Sequence, residues 1–438
     1  MNPEIRKNIL LELTITRVAT LVVAYVLVLT IFFNAKNPLE ALGDFASVML
    51  VVFMALGLVR CSNTVATEVQ DNTWDFQRMS SAGAWELTVG KLVGAPIFAT
   101  CGASMALGLL MCLMVAQGTP LDVALRLLLI LPSTYLFICA IGVGRSLLSA
   151  QEMRSQRRVK FNIGALAVIL LLGPLLGLAI GLAKFIHQIS TTSSASPTTS
   201  ITWWGMQFLA LDFITLSVLL FTAWSILGAY RLMRAELQFK QLPIAWILFC
   251  CFLWLYITPL WPLQNPVKYA TAYDLLNLPG PLLSCILLYP ELCSGFKDIV
   301  ALRRFVTALS RYQVAEAFSL MPRWIISLLF FIAATALSIL FAQTSSGQAL
   351  LAAWCLFVIR DVAVIMSFHI KAPNHRRNGM AALVYFVFLY ALGPLLVAIA
   401  HGSLVGLFFP IEPTFSLIGS TIGAAAALIL VIRAWKVQ

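Results

Sequence analysis

The chain has 438 residues, 61% of them hydrophobic and 11% charged, with a formal net charge of +11. Soluble domains carry roughly 25% charged residues, so this composition excludes an ordinary soluble enzyme. The basic residues fall between long apolar blocks, which makes the positive charge a matter of membrane orientation and excludes nucleic acid as a partner.

In chain order, residues 3–16 come first. Ile5, Ile9 and Leu13 share one helical face with Glu4 and Lys7 roughly opposite, which predicts an amphipathic helix on the membrane surface. Glu4 and Glu12 interrupt this stretch before any apolar core, so no cleavable signal peptide is expected. Apolar blocks follow at 18–33, 45–59, 92–115, 125–143, 163–183 and 208–227. A second series occupies 244–260, 275–288, 324–342, 349–368, 381–400 and 417–432. A spanning helix needs ~20 mostly apolar residues, and these blocks with their flanks predict an all-α polytopic membrane protein of about twelve transmembrane helices.

Between the second and third blocks the chain passes Glu68, Asp75 and Arg78, then Ser80-Ser81, Glu86 and Gly90-Lys91. This mixed-charge stretch reads as a short surface helix. Ser80 or Ser81 is placed to cap the helix that re-enters the membrane, with Glu86 in its first turns. The second series offers Lys297-Asp298, Arg303, Arg304, Arg311 and Glu316 in the equivalent place.

The fifth block contains Leu172-Gly173-Pro174-Leu175-Leu176, and the eleventh repeats it as Leu392-Gly393-Pro394-Leu395-Leu396. An arginine pair precedes each, Arg157-Arg158 and Arg376-Arg377. The recurrence divides the chain into two six-helix repeats, 1–233 and 243–438, related by an axis along the membrane normal with a pathway between them. Proline removes a helical hydrogen bond, so kinks are expected at Gly173-Pro174 and Gly393-Pro394. A Ser/Thr-rich stretch at 190–200 reads as a flexible loop returning to an aromatic belt at Trp203-Trp204.

With both termini cytoplasmic, 24 of the 29 basic residues fall on the inner side and four on the outer, with Arg360 inside a block. That split predicts both ends inside, in a bacterial cytoplasmic (inner) membrane. The nine cysteines lie in or beside the blocks, and the four histidines are scattered, so no disulfide, metal site or catalytic constellation is expected. Arg360-Asp361 sits mid-block, where a charge costs ~2.5–3.5 kcal/mol on insertion scales and must face the protein interior. Neighbouring helix positions point about 100° apart, so the two need not pair with each other. They read as a structural tie or as a polar site on the pathway. Asp212 and Glu291, at block edges, read as helix-end or interhelical contacts.

The order of parts resembles the permease subunits of ABC-type exporters of the second structural class. In that resemblance, 3–16 is the elbow helix. Glu68, Asp75, Arg78, Glu86 and Lys91 belong to an ATPase-coupling helix, with Arg303, Arg304, Arg311 and Glu316 as its weaker counterpart. The family implies a separate cytoplasmic ABC ATPase, two copies per fused chain, which carries the ATP and Mg. This chain has no phosphate-cradling G-x-x-x-x-G-K-[ST] loop and needs no cofactor of its own. It is then expected to be a transport subunit and not an enzyme, moving an unidentified substrate across the bilayer by alternating access. Two alternatives remain: an ion-coupled secondary transporter with two six-helix halves, or a membrane-embedded lipid or glycan enzyme or assembly factor.

Overall fold

The computed structural model describes residues 2–33, 37–80, 82–154, 200–239, 241–260, 279–295, 299–341, 344–371, 384–400 and 402–436. The chain forms two compact units, 1–241 and 242–438. In the first, α1 (Pro3–Glu12) leads into α2 (Ile15–Phe33) and α3 (Pro38–Gln70). After α3 come the single-turn α4 (Trp74–Arg78), α5 (Ala84–Val89), a π-helical turn (Gly90–Gly94) and α6 (Ile97–Ala116). The unit closes with α7 (Leu121–Arg154), strands β1 (Ser200–Trp203) and β2 (Met206–Leu209), and α8 (Ala210–Glu236).

The second unit starts with α9 (Ile244–Ile257), α10 (Pro279–Gly295), α11 (Ile299–Ser310), α12 (Val314–Leu320) and α13 (Arg323–Phe341). It continues with α14 (Ser345–Lys371), a π-helical turn (Phe388–Leu392) running into α15 (Gly393–Ala400), a 3-10 turn (Gly402–Leu407) and α16 (Pro413–Lys436).

Among the described residues eight helices are long and apolar enough to cross a membrane, and three shorter apolar helices accompany them. Helices satisfy their own backbone groups, which hydrocarbon requires, so the chain is an all-α polytopic membrane protein. The block 163–183 with Gly173 and Pro174, both arginine pairs and Lys297-Asp298 lie outside the described residues.

Each unit packs its long helices side by side. In the first unit α3 lies along α6 and α7, and α7 along α8. In the second α10 lies along α13, and α14 along α16. Buried polar groups are used as ties: Ser146 Oγ on α7 accepts from the Val65 and Ala66 amides of α3 at 2.9 and 3.1 Å.

Two expectations need correction. The N-terminal helix ends at Glu12, and α2 begins at Ile15. Glu12 pairs with Arg17 at 2.5 Å and Arg60 at 3.8 Å, which fixes the bend. The helix that follows Ser80-Ser81 starts at Ala84, and its first turn is closed by Glu86, whose carboxylate accepts from the Gly83 amide at 3.2 Å. Ser80 instead donates to the Gln77 carbonyl at the end of α4. The Ser/Thr-rich stretch 190–199 lies outside the described residues, and Ser200–Leu209 after it form an antiparallel hairpin. Trp204 and Gly205 both have positive φ at its turn, the two-residue geometry that matches strand twist.

Candidate functional site

Two buried charged clusters stand out, one in each unit, and a π-helical turn supplies a residue to each, Lys91 in the first and Tyr390 in the second. Such turns widen a helix by one residue and recur at functional positions.

The first centres on Lys91, whose side chain is fully buried. Its ammonium donates to Glu4 of α1 at 2.8 Å and to Glu68 of α3, and lies 5.8 Å from the Trp74 ring. Lys7 adds its charge at 3.7 Å from Glu4 and 3.9 Å from Glu68. Gln77 donates to Glu68 at 2.9 Å, while the Trp74 indole donates to Glu236, at the end of α8, at 3.2 Å. Asn2 donates to the Glu86 carbonyl at 2.5 Å.

Lys91 can reach these partners because α1 lies directly on the π turn. A Cβ on Gly90 would come 2.7 Å from the Glu4 Cβ, and one on Gly94 would come 2.8 Å from the Asn8 amide nitrogen. Gly90 and Gly94 thus form the small-xxx-small surface that lets helices meet closely. Glu4, Ile5 and Asn8 of α1 meet this surface, and Ile9 is half-buried with them while Leu10 and Leu11 are exposed. Burial pushes the Glu4 carboxyl up, but the charge and hydrogen bond of Lys91, with help from Lys7 and Asn8, bring it below its ordinary value.

The cluster holds α4 in a fixed pose. Asn72, in the left-handed region at φ 58°, ends α3 while the Thr73 amide donates back to the Glu68 carbonyl at 2.9 Å, a Schellman ending. Trp74 then turns inward and is buried, whereas Phe76 and Met79 are 74% and 76% exposed. Asp75 and Glu86 are exposed and Arg78 half-exposed around them. In the second unit Tyr312, φ 56°, ends α11 in the same way, with the Gln313 amide donating to the Ala308 carbonyl at 3.0 Å. Tyr312 and Val314 are strongly exposed there, and so are Arg304, Arg311 and Glu316. Arg303 instead stacks over the Trp435 ring at 5.6 Å.

The second cluster is built on Arg360 and Asp361. Contrary to the angular argument, the two neighbours pair: Arg360 Nε donates to Asp361 Oδ1 at 3.1 Å. Three tyrosines complete it. Tyr289 of α10 donates to Asp361 Oδ2 at 2.8 Å, Tyr385 to Oδ1 at 3.4 Å, and Tyr390 of the π turn also donates to Asp361. Tyr390 in turn accepts from Arg360 Nη2 at 2.9 Å. The Arg360 guanidinium lies 4.7 Å from the Phe357 ring. Gly423 of α16 makes room for it, since a Cβ there would be 2.9 Å from Arg360 Cδ. Beside the tyrosines a cavity of about 430 Å³ opens, lined mainly by aromatic side chains.

The π turn directly precedes Gly393-Pro394, and the Gly393 amide donates to the Phe388 carbonyl five residues back. The helix meets the missing proline N–H with this widened turn. Asp212 pairs with Arg126 at 2.5 Å, and Arg126 also pairs with Asp122. Glu291 is partly buried on α10. Among the described residues no group of His, Cys, Asp and Glu is placed to hold a metal.

Trp74, Glu236 and the three tyrosines were not singled out from the sequence. A tyrosine at three separate positions in apolar helices is the signal that would have pointed to a buried charge needing partners. Fold and sites together define a polytopic helical membrane protein with two buried ion clusters. Comparison with protein-family models, curated proteins and solved structures returns no match.

Proposed function

We propose that this chain is the transmembrane permease subunit of an ATP-driven ABC-type exporter, energised by a separate cytoplasmic ATPase. The observation that carries the reading is α4: a single turn with Trp74 locked inward and Phe76 and Met79 held outward. Exposed apolar side chains on a rigid, charged surface are a protein-docking feature. A force applied at Phe76 and Met79 reaches α1, α3, α6 and α8 through Trp74, Lys91, Glu68 and Glu236. The segment around Tyr312 and Val314 serves as the second docking point, for a second ATPase copy.

Two repeats are part of this proposal. Asn72 and Tyr312 each stand two residues before a short helix, and the helix pairs α3·α6 and α7·α8 have counterparts in α10·α13 and α14·α16. Both termini and both docking segments are then cytoplasmic, in agreement with the distribution of Lys and Arg.

A second reading, an ion-coupled transporter, draws on the buried Arg360–Asp361 pair, since intramembrane ionisable residues often mark ion pathways. Gentle purification from the native membrane separates the two. The exporter reading expects a copurifying ATPase that is lost in a Phe76→Glu/Met79→Glu variant whose thermal unfolding is unchanged. A chain that purifies alone and transports on an ion gradient, indifferent to ATP, replaces it with the second reading.

A further inference from the structure

We infer that the cavity of the second unit is a binding site for an apolar, ring-bearing compound without negative charge. Seven of its ten lining residues are aromatic and none carries a charge. At about 430 Å³ it falls within the range of small-molecule pockets, roughly 300–1,000 Å³. The walls present ring faces and edges in fixed attitudes. Phe386 and Tyr390 are stacked at 6.0 Å, Tyr289 meets Phe386 edge-on at 6.3 Å, and Phe409 is tilted against Tyr390 at 5.4 Å. A flat ring gains offset-stacked or edge-to-face contacts against such walls that a saturated chain does not.

The wall is also pre-organised. Tyr289 and Tyr390 are tethered through their hydroxyls to Asp361, from α10 and from the π turn. Arg360 neutralises that carboxylate and holds Tyr390 from the other side. Ordering cost that a ligand would otherwise meet is thereby met in the fold. The same tethering selects against negative charge. Both lining hydroxyls already donate to Asp361, so an anionic ligand would lose its hydration without gaining a donor. Arg360 and Asp361 are positioning residues for the wall and do not line it. On this view the ion pair serves binding, whichever energy source drives transport.

The test uses the full chain in phosphatidylcholine vesicles with benzophenone, an uncharged two-ring compound that inserts into C–H bonds on irradiation. Adducts are mapped by peptide mass spectrometry. Saturable labelling at Cys285, Trp354–Val358 and Phe408–Pro410 is expected, reduced about tenfold by excess naphthalene and by filling the cavity with Val358→Trp or Cys285→Phe. Benzoylbenzoate, which adds a carboxylate to the same rings, is expected to label these positions weakly. Even if both variants misfold, saturation and competition in the unaltered chain decide the matter. Non-saturable labelling confined to outward residues such as Leu395, Leu396 and Ile399 overturns the inference, as does equal labelling by the carboxylate. Labelling of the cavity by a photoactivatable phospholipid chain, with none by benzophenone, also overturns it and assigns the space to lipid. No ATPase is needed in this assay, so its result is separate from the exporter reading.

Discussion

Lys91 in the first unit and Asp361 in the second are both fully buried charged groups, and they are held in opposite ways. Lys91 gathers partners far apart in sequence, Glu4 and Glu68, at the edge of the bundle where Lys7 is half-exposed. Asp361 takes its counter-charge from the adjacent residue and fills the rest of its capacity with neutral tyrosyl hydroxyls inside the unit. The first arrangement is a clamp between elements, the second a hub that fixes a wall. The clamp ties the N-terminal α1, at the edge of the bundle, to α3 and to the π turn before α6, so displacement of an edge element passes through it. A hub resists displacement, because each tyrosine is bound to one central carboxylate. This difference matches the roles argued for them, docking and force transfer in one unit and ligand binding in the other.

The largest effect should follow loss of the clamp's only buried cation. Lys91→Met leaves Glu4 and Glu68 facing each other with only the half-exposed Lys7 beside them, and breaking a buried pair typically costs about 3–5 kcal/mol. Thermal unfolding in detergent measures it. The triple variant Lys91→Met/Glu4→Gln/Glu68→Gln should recover most of the loss. If the single variant unfolds like the unaltered chain, Lys91 is not the centre of a clamp.

Asp361→Asn should cost less, about 3 kcal/mol, the low end of the same range, because the amide oxygen still accepts from two tyrosines while Arg360 loses its counter-charge. Pairing it with Arg360→Met should restore stability, since a neutral hub leaves no buried charge. Failure of that rescue would mean that the hub needs ionic strength and resembles the clamp after all.

Much of this architecture was legible beforehand. Apolar blocks located the helices because hydrocarbon leaves few alternatives, and Arg360-Asp361 drew notice because charge is rare at that depth. The clamp was only half legible. Gly90-Lys91 was visible as a motif, but Gly90 and Gly94 matter through the approach of α1, a contact across more than eighty residues that no local pattern encodes. The N-terminal helix was half legible for a related reason: Ile5, Ile9 and Leu13 are half-buried, but the bond from Lys91 to Glu4 is a contact its own pattern does not encode. The tyrosines were invisible because tyrosine is unremarkable in an apolar helix until a buried carboxylate is known to lie beside it.

A smaller effect tests whether the wall of the hub depends on the segment that returns after α15. Gly419 of α16 touches that segment: a Cβ there would lie 2.3 Å from the Leu407 carbonyl oxygen and 2.6 Å from its Cα. Backbone cannot yield as a side-chain tip does, so Gly419→Ala should cost about 1–3 kcal/mol and displace Phe408 and Phe409 from the cavity. Gly108 of α6 has open space around its Cβ position, and Gly108→Ala should instead stabilise by up to about 1 kcal/mol through helix propensity. Equal unfolding temperatures for the two variants would remove the argument from close approach.

The smallest effect is the pH response of the clamp, and its sign separates clamp from hub. Burial alone would raise the Glu4 carboxyl, but Lys91 and then Lys7 and Asn8 outweigh it, so its folded value lies below the ordinary one. A depressed carboxyl contributes stability that is present above its unfolded value and lost as pH falls through its folded value. The contact between α1 and the π turn should therefore be complete near neutrality and indifferent to mild alkali. It should weaken only on acidification beyond the ordinary carboxylate range. Hydrogen exchange of the α1 amides, corrected for intrinsic pH dependence and followed from about pH 7 to about pH 3, should show protection falling at the acid end. Glu4→Gln should remove that fall while starting from lower protection. Protection that declines toward alkaline pH, or an acid response unchanged in Glu4→Gln, would place the control of α1 elsewhere than in its bond to Lys91.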